Sequence, residues 1–114
     1  MANCLYCGVS LRSNSDRSGR RDAVDWDHTK DHLYPRAALA KLSPSQRAKL
    51  PPSFDRLNSV PCCRGCNAYK GTLHPLDWLV IMPNSTCAAR VAERLISMGE
   101  DINQVFDALR RRRK

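Results

Sequence analysis

"CRGCNAYKG", residues 63–71, is the stretch on which the fold turns. Two cysteines separated by two residues can aim at one ion from a tight turn, here expected to run through Gly65, and the sequence after Cys66 changes character at once. Asn67, Ala68, Tyr69 and Lys70 read as the start of a helix that Gly71 ends. A second pair with the same spacing, Cys4-Leu5-Tyr6-Cys7, stands near the start of the chain. Four thiolates at tetrahedral geometry make a closed structural site, so Cys4, Cys7, Cys63 and Cys66 are expected to hold one Zn²⁺. The alternative, a redox-active pair, is opposed by the lack of a βαβ pattern around either C-x-x-C.

The remaining cysteines and the histidines sharpen this reading. Cys62 to Cys66 has three intervening residues rather than two, so Cys62 is expected to be a buried bystander, and Cys87 an ordinary small core residue. His28 and His32 have the spacing of zinc-finger histidines. Twenty residues separate Cys7 from His28, however, where such a finger has about twelve, and Cys63 and Cys66 would be left without a purpose.

The 114 residues suit one domain and one site. With 42% apolar residues but only two Trp, three Tyr and two Phe, the core is small, and a metal that ties the chain start to residues 63–66 would supply folding energy that it lacks. Nineteen Lys and Arg against eleven Asp and Glu give a net charge of +8, the balance of a polyanion binder. Arg110 to Lys114 form a basic tail, and Arg12, Arg17, Arg20 and Arg21 lie in a Ser-rich stretch that reads as a loop. The first residues lack the apolar core of a secretory signal, and the longest apolar run, Leu79–Met82, is far too short to span a bilayer. A cytoplasmic protein with no membrane partner is expected.

Towards the chain start from Cys63, "DRLNSVPCC" offers an extended segment through Leu57 and Val60, and "AVDWDHTKDHLYP" offers another, with partial alternation and a Pro stop. Between them "RAALAKL" favours helix, and "SPSQRAKL" has Ser43 as cap, Pro44 at the first helical position and Gln46 three residues past the cap. Beyond Gly71, Pro75 and Pro83 bound a short apolar helix with Trp78 in the core. Ala88, Val91, Ala92 and Leu95 then make one helical stripe that Gly99 ends. Ile102, Val105, Phe106 and Leu109 make a second, capped by Asp101, so the last two helices are expected to form a hairpin.

Taken in order, Cys4-x-x-Cys7, Asp31-His32-Leu33-Tyr34-Pro35-Arg36, Asn58 and Cys63-x-x-Cys66-Asn67-Ala68-Tyr69-Lys70-Gly71 resemble the HNH endonuclease family. The likeness covers about residues 4–71, and its specificity lies in the D-H-x-x-P-R segment, the Asn five residues before a C-x-x-C, and the C-N-x-x-K-G continuation together. It implies an α+β fold: a small ββα-metal core stapled by the four-cysteine zinc site, with an inserted helical segment and a C-terminal helical hairpin. The whole chain, 1–114, is then a single domain with its core at about 4–74, helices over 75–109 and the basic tail at 110–114. One departure is that helical sequence fills the interval where many relatives carry a Gly-rich turn. Arg47, Lys49 and Arg56 in that interval either extend a DNA track or form a solvated face.

The resemblance also implies roles that suit the residue types. His32 is the general base, an imidazole nitrogen being able to take a proton from water. Asp31 and Asn67 offer hard oxygens to a catalytic Mg²⁺ or Mn²⁺, with Ni²⁺ or Zn²⁺ as alternatives, Asn67 standing where the family's last histidine often is. Asn58 orients His32 across the turn between the strands. Lys70 and Arg36 contact DNA phosphate. His74 is expected at the surface or at a helix cap rather than in the coordination sphere. His28 is a neighbour that lies about 13 Å from His32 if the segment is extended, too far to share its ion. The expected activity is nicking or cleavage of double-stranded DNA, and small relatives of this kind occur in phages and mobile elements, some beside DNA-packaging genes, which makes a packaging protein a possible partner. The competing reading is a non-catalytic, zinc-stabilised DNA-binding module. RNA as the substrate is a third reading that no residue favours.

Overall fold

The computed structural model describes residues 2–12 and 24–112. Arg17, Arg20 and Arg21 of the basic loop, and Arg113 and Lys114 of the tail, lie outside the described residues. In chain order the elements are β1 (His28–His32), α1 (Arg36–Ala40), α2 (Pro44–Ala48), α3 (Phe54–Asn58), β2 (Ser59–Cys63), α4 (Arg64–Lys70), α5 (Pro75–Ile81), α6 (Ser85–Ser97) and α7 (Ile102–Arg110). The fold is α+β, with a two-stranded antiparallel sheet whose register pairs His28 with Cys63, Asp31 with Val60 and His32 with Ser59.

Pro61 sits inside β2 without breaking it because its missing N–H would point to the outer edge of the sheet. There its carbonyl accepts 3.0 Å from the Leu5 backbone N–H, which lays the chain start along β2. That start is a tight knuckle: Gly8 N–H reaches the Cys4 carbonyl at 2.9 Å, and Gly8 takes φ +86°, a conformation that suits glycine. α4 packs against both strands.

Two local expectations are corrected. Leu57 belongs to a helix rather than to the second strand, because α3 buries Phe54 against the Tyr34 ring (centroids 5.4 Å apart) before the chain extends at Ser59. The residues before Asn67 are helical rather than a turn: α4 starts at Arg64, with the Cys63 sulfur as its cap, accepting from Cys66 N–H at 3.3 Å. Gly65 allows a close approach there instead, since a Cβ would lie 3.2 Å from that of Asp25.

The inserted segment folds as its cap residues dictate. Ser43 and Gln46 form the reciprocal capping box of α2, with Pro44 at its first position. In the last third, α5, α6 and α7 pack on one another, and Trp78, Leu79, Ala88, Val91, Ala92, Leu95 and Val105 are buried. Asn84 caps α6 and Asp101 caps α7. The stripe of α7 is rotated from the expected one: Val105 and the small Ala108 face the core, while Ile102 and Phe106 stay about half exposed (48% and 46%). The basic tail is also partly engaged. Arg112 folds back onto the end of α5, donating to the carbonyls of Leu79 and Met82, and Arg110 and Arg111 pair with Asp107.

Candidate functional site

The knuckle and the β2–α4 junction bring four sulfurs together. Cys4, Cys7, Cys63 and Cys66 have their Sγ atoms all within 4.8 Å of one another, and the Cys7–Cys63 separation is 3.8 Å. A tetrahedron of sulfurs about 2.3 Å from a central zinc has edges of about 3.8 Å, so the four residues fit that ion. The pairs contribute differently. Cys4 and Cys7 come from the knuckle, whereas Cys63 ends β2 and Cys66 lies in the first turn of α4. The Cys4 thiol is held far below its ordinary value, first by the hydrogen bond from Cys66 and then by backbone groups including Tyr6 N–H, while Cys66, giving its proton to Cys4 and buried, is pushed up.

Cys62 stands outside this cluster. Paired with Thr29 across the sheet, it contacts the Thr29 hydroxyl at 3.3 Å, and burial pushes its thiol up to about 12. Cys87 is buried in α6, as expected of a core residue.

A second polar cluster lies where β1 faces α4. Alternation along the strand turns Thr29 and Asp31 inward and leaves Lys30 and His32 exposed. Asp31 Oδ2 accepts 2.6 Å from the Tyr6 hydroxyl and lies 3.1 Å from Lys70 Nζ, which also donates to the His32 carbonyl at 3.1 Å. Lys70 is therefore not a surface phosphate contact: at 1% exposure it is a buried cation tying α4 to β1 at the Asp31-His32 pair, and that expectation is corrected. Burial first, and then the Asp31 carboxylate, push the Tyr6 phenol well above its ordinary range.

Asn58 is buried, and both ends of its amide are used on one residue. Oδ1 accepts from Tyr34 N–H at 2.7 Å and Nδ2 donates to the Tyr34 carbonyl at 3.3 Å, fixing the chain two residues beyond His32. Asn67 Nδ2 donates to Thr29 Oγ1 at 3.1 Å, leaving its carbonyl oxygen to accept. The His32 imidazole is exposed and has no hydrogen bond among the described residues, and Arg36 is exposed at the start of α1. His74 is a helix cap, its Nδ1 accepting from Leu76 N–H at 3.1 Å.

The structure thus gathers Tyr6, Asp31, Lys70 and the His32 backbone at one point, Asn67 beside Thr29, and Asn58 around Tyr34. The run Asp27-His28-Thr29-Lys30-Asp31-His32 spells Asp-His twice, and the structure puts the two aspartates to different uses. Asp27 is buried and paired with Arg12 while also accepting from Val24 N–H at 2.9 Å, so the first pair braces the start of β1. Tyr6 and Thr29 were not legible as site residues: an aromatic between two cysteines reads as core filling, and nothing in its spacing points at Asp31. Among the described residues no helix is long and apolar enough to cross a membrane. A scan of protein families, a search of curated proteins and a search of solved structures each return no match.

Proposed function

We propose that the chain is a metal-dependent DNA endonuclease of the HNH type, with β1, β2 and α4 as its strand–strand–helix core and His32 as general base. What supports this reading most is the Asn58 clamp. An asparagine 24 positions beyond Tyr34 grips that residue's backbone with both amide atoms, stiffening the chain that follows His32; it has no hydrogen bond to His32 among the described residues, so it would act on that imidazole only through the backbone. The exposed His32 ring suits a group that must meet water and a phosphodiester.

Asp31 and Asn67 would hold the catalytic cation. Both contacts of Asp31 use Oδ2, and Asn67 uses only its nitrogen, so one oxygen of each remains as a donor on the facing surfaces of β1 and α4. One carboxylate and one amide oxygen fit a hard ion such as Mg²⁺ or Mn²⁺ that keeps several waters. When bound, that ion supplies Lewis acidity at the phosphate and offsets charge on the leaving oxygen. His32 takes a proton from water, whose oxygen attacks phosphorus, and the P–O3′ bond breaks with O3′ taking a proton from solvent water, to give the 5′-phosphate and 3′-hydroxyl ends that the resemblance implies. Lys70 keeps the Asp31 carboxylate in place, the four-cysteine zinc holds the knuckle, and Arg36 with the net charge of +8 supplies phosphate affinity. Double-stranded DNA is the proposed substrate. A role in a phage or mobile element, beside a packaging protein, follows from the resemblance alone.

The second reading, a zinc-stabilised DNA-binding module without activity, is favoured by one observation: Asp31 already has a buried ammonium as its counter-charge. Supercoiled plasmid incubated with Mg²⁺, Mn²⁺, Ni²⁺ or Zn²⁺ separates the two. Nicked circles from wild type and none from His32→Ala are expected. DNA binding without cleavage under every metal would establish the module instead.

A further inference from the structure

Tyr6 touches both clusters at once. Its backbone N–H donates to Cys4 Sγ at 3.3 Å, and its hydroxyl, at the far end of a fully buried ring, donates to Asp31 Oδ2 at 2.6 Å. The ring cannot swing freely between these anchors, because it packs edge-on against Trp78 with centroids 5.1 Å apart at 80°, and Trp78 is itself fully buried. The position of the phenol oxygen is therefore set by the path of the knuckle between Cys4 and Cys7, which is the path that four-sulfur coordination fixes. No other hydroxyl donates to Asp31 among the described residues, and Lys70 approaches it from α4.

We propose that Tyr6 is a positioning residue that couples the two metal sites: zinc in the knuckle sets the Asp31 carboxylate through the Tyr6 hydroxyl and so raises the affinity of that carboxylate for a divalent cation. The inference rests on the reading of Asp31 as a cation ligand. Partners that orient a ligating carboxylate govern metal affinity by about 10–100-fold when removed, and linkage requires the coupling to run both ways, the second cation being felt at the zinc site. The structural zinc then does more than hold the fold, since an oxidised or demetallated knuckle loses its grip on Asp31 as well as on the chain start.

The test is Mn²⁺ titration of the zinc-loaded full chain, followed by electron paramagnetic resonance, with zinc content measured before and after. Tyr6→Phe keeps the ring and its packing on Trp78 and removes only the hydroxyl. It is expected to retain one zinc per chain and bind Mn²⁺ about tenfold more weakly than wild type, while Asp31→Asn abolishes binding. Wild-type affinity in Tyr6→Phe, with binding lost in Asp31→Asn, overturns the coupling and leaves the cation site standing. Wild-type affinity in Asp31→Asn overturns the cation site and the coupling with it. A second measurement needs no Tyr6 variant: with ¹¹³Cd in the four-sulfur site, added Mg²⁺ is expected to shift the ¹¹³Cd resonance of wild type but not of Asp31→Asn. An unmoved wild-type resonance at saturating Mg²⁺ overturns the coupling.

Discussion

At the scale of single residues, the contrast is between groups that look alike in sequence and differ in surroundings. Lys70 reads in sequence as a phosphate contact on a helix, yet its ammonium is buried between Asp31 and the His32 carbonyl. Removing one partner of a buried pair leaves the other charge uncompensated, at a cost of about 3–5 kcal/mol. Lys70→Ala is therefore expected to lower the unfolding free energy in urea by about 3 kcal/mol, and a loss below about 1 kcal/mol would refute the buried pair. Cys62 carries a pH signature. Burial raises its thiol from an ordinary 9.0 to about 12, so its contribution is complete below pH 9 and is lost as pH rises to about 12, because the unfolded chain gives up the proton first. Unfolding free energy is expected to fall across that window, and Cys62→Ala to flatten the slope. Buried Tyr34, pushed up by burial and by its bond to Glu100, adds to the same fall in both proteins.

At the scale of elements, what was legible in the sequence is what local chemistry decides. Ser43-Pro44-Ser45-Gln46 announces a capping box and forms one, and Asp101, Pro75 and Gly99 begin or end helices as their chemistry dictates. What was not legible depended on partners distant in the chain. Leu57 is helical because Phe54 finds Tyr34, and Ile102 and Phe106 are exposed because Ala108 lets α7 sit on α5 and α6 by another face. The site divides in the same way: the four sulfurs followed from spacing, whereas the link from Tyr6 to Asp31, across 25 positions, required the fold. Asn84 joins the two scales, accepting from Cys87 N–H as the cap of α6 and donating to the Cys7 carbonyl of the knuckle. Asn84→Ala is expected to cost about 1–2 kcal/mol in thermal or urea unfolding. A gain in stability would contradict the capping role.

At the scale of the whole molecule, the four-sulfur cluster joins the chain start to the β2–α4 junction across 56 positions between Cys7 and Cys63, and a zinc held there is expected to stabilise the small core by that closure. Chelation of the zinc is expected to lower the unfolding midpoint and to expose the four thiols together, whereas Cys62 and Cys87 react only on global unfolding. Independent reaction of the four thiols would argue against a shared ion. In the proposed mechanism the second Asp-His pair carries the chemistry, whereas Asp27 of the first braces the strand. The most direct measurement compares plasmid nicking by His32→Ala and His28→Ala at matched zinc content and in saturating Mn²⁺. Loss of cleavage in His32→Ala with most of it kept in His28→Ala is the predicted result; equal loss in both, or cleavage by His32→Ala at the wild-type rate, would contradict it.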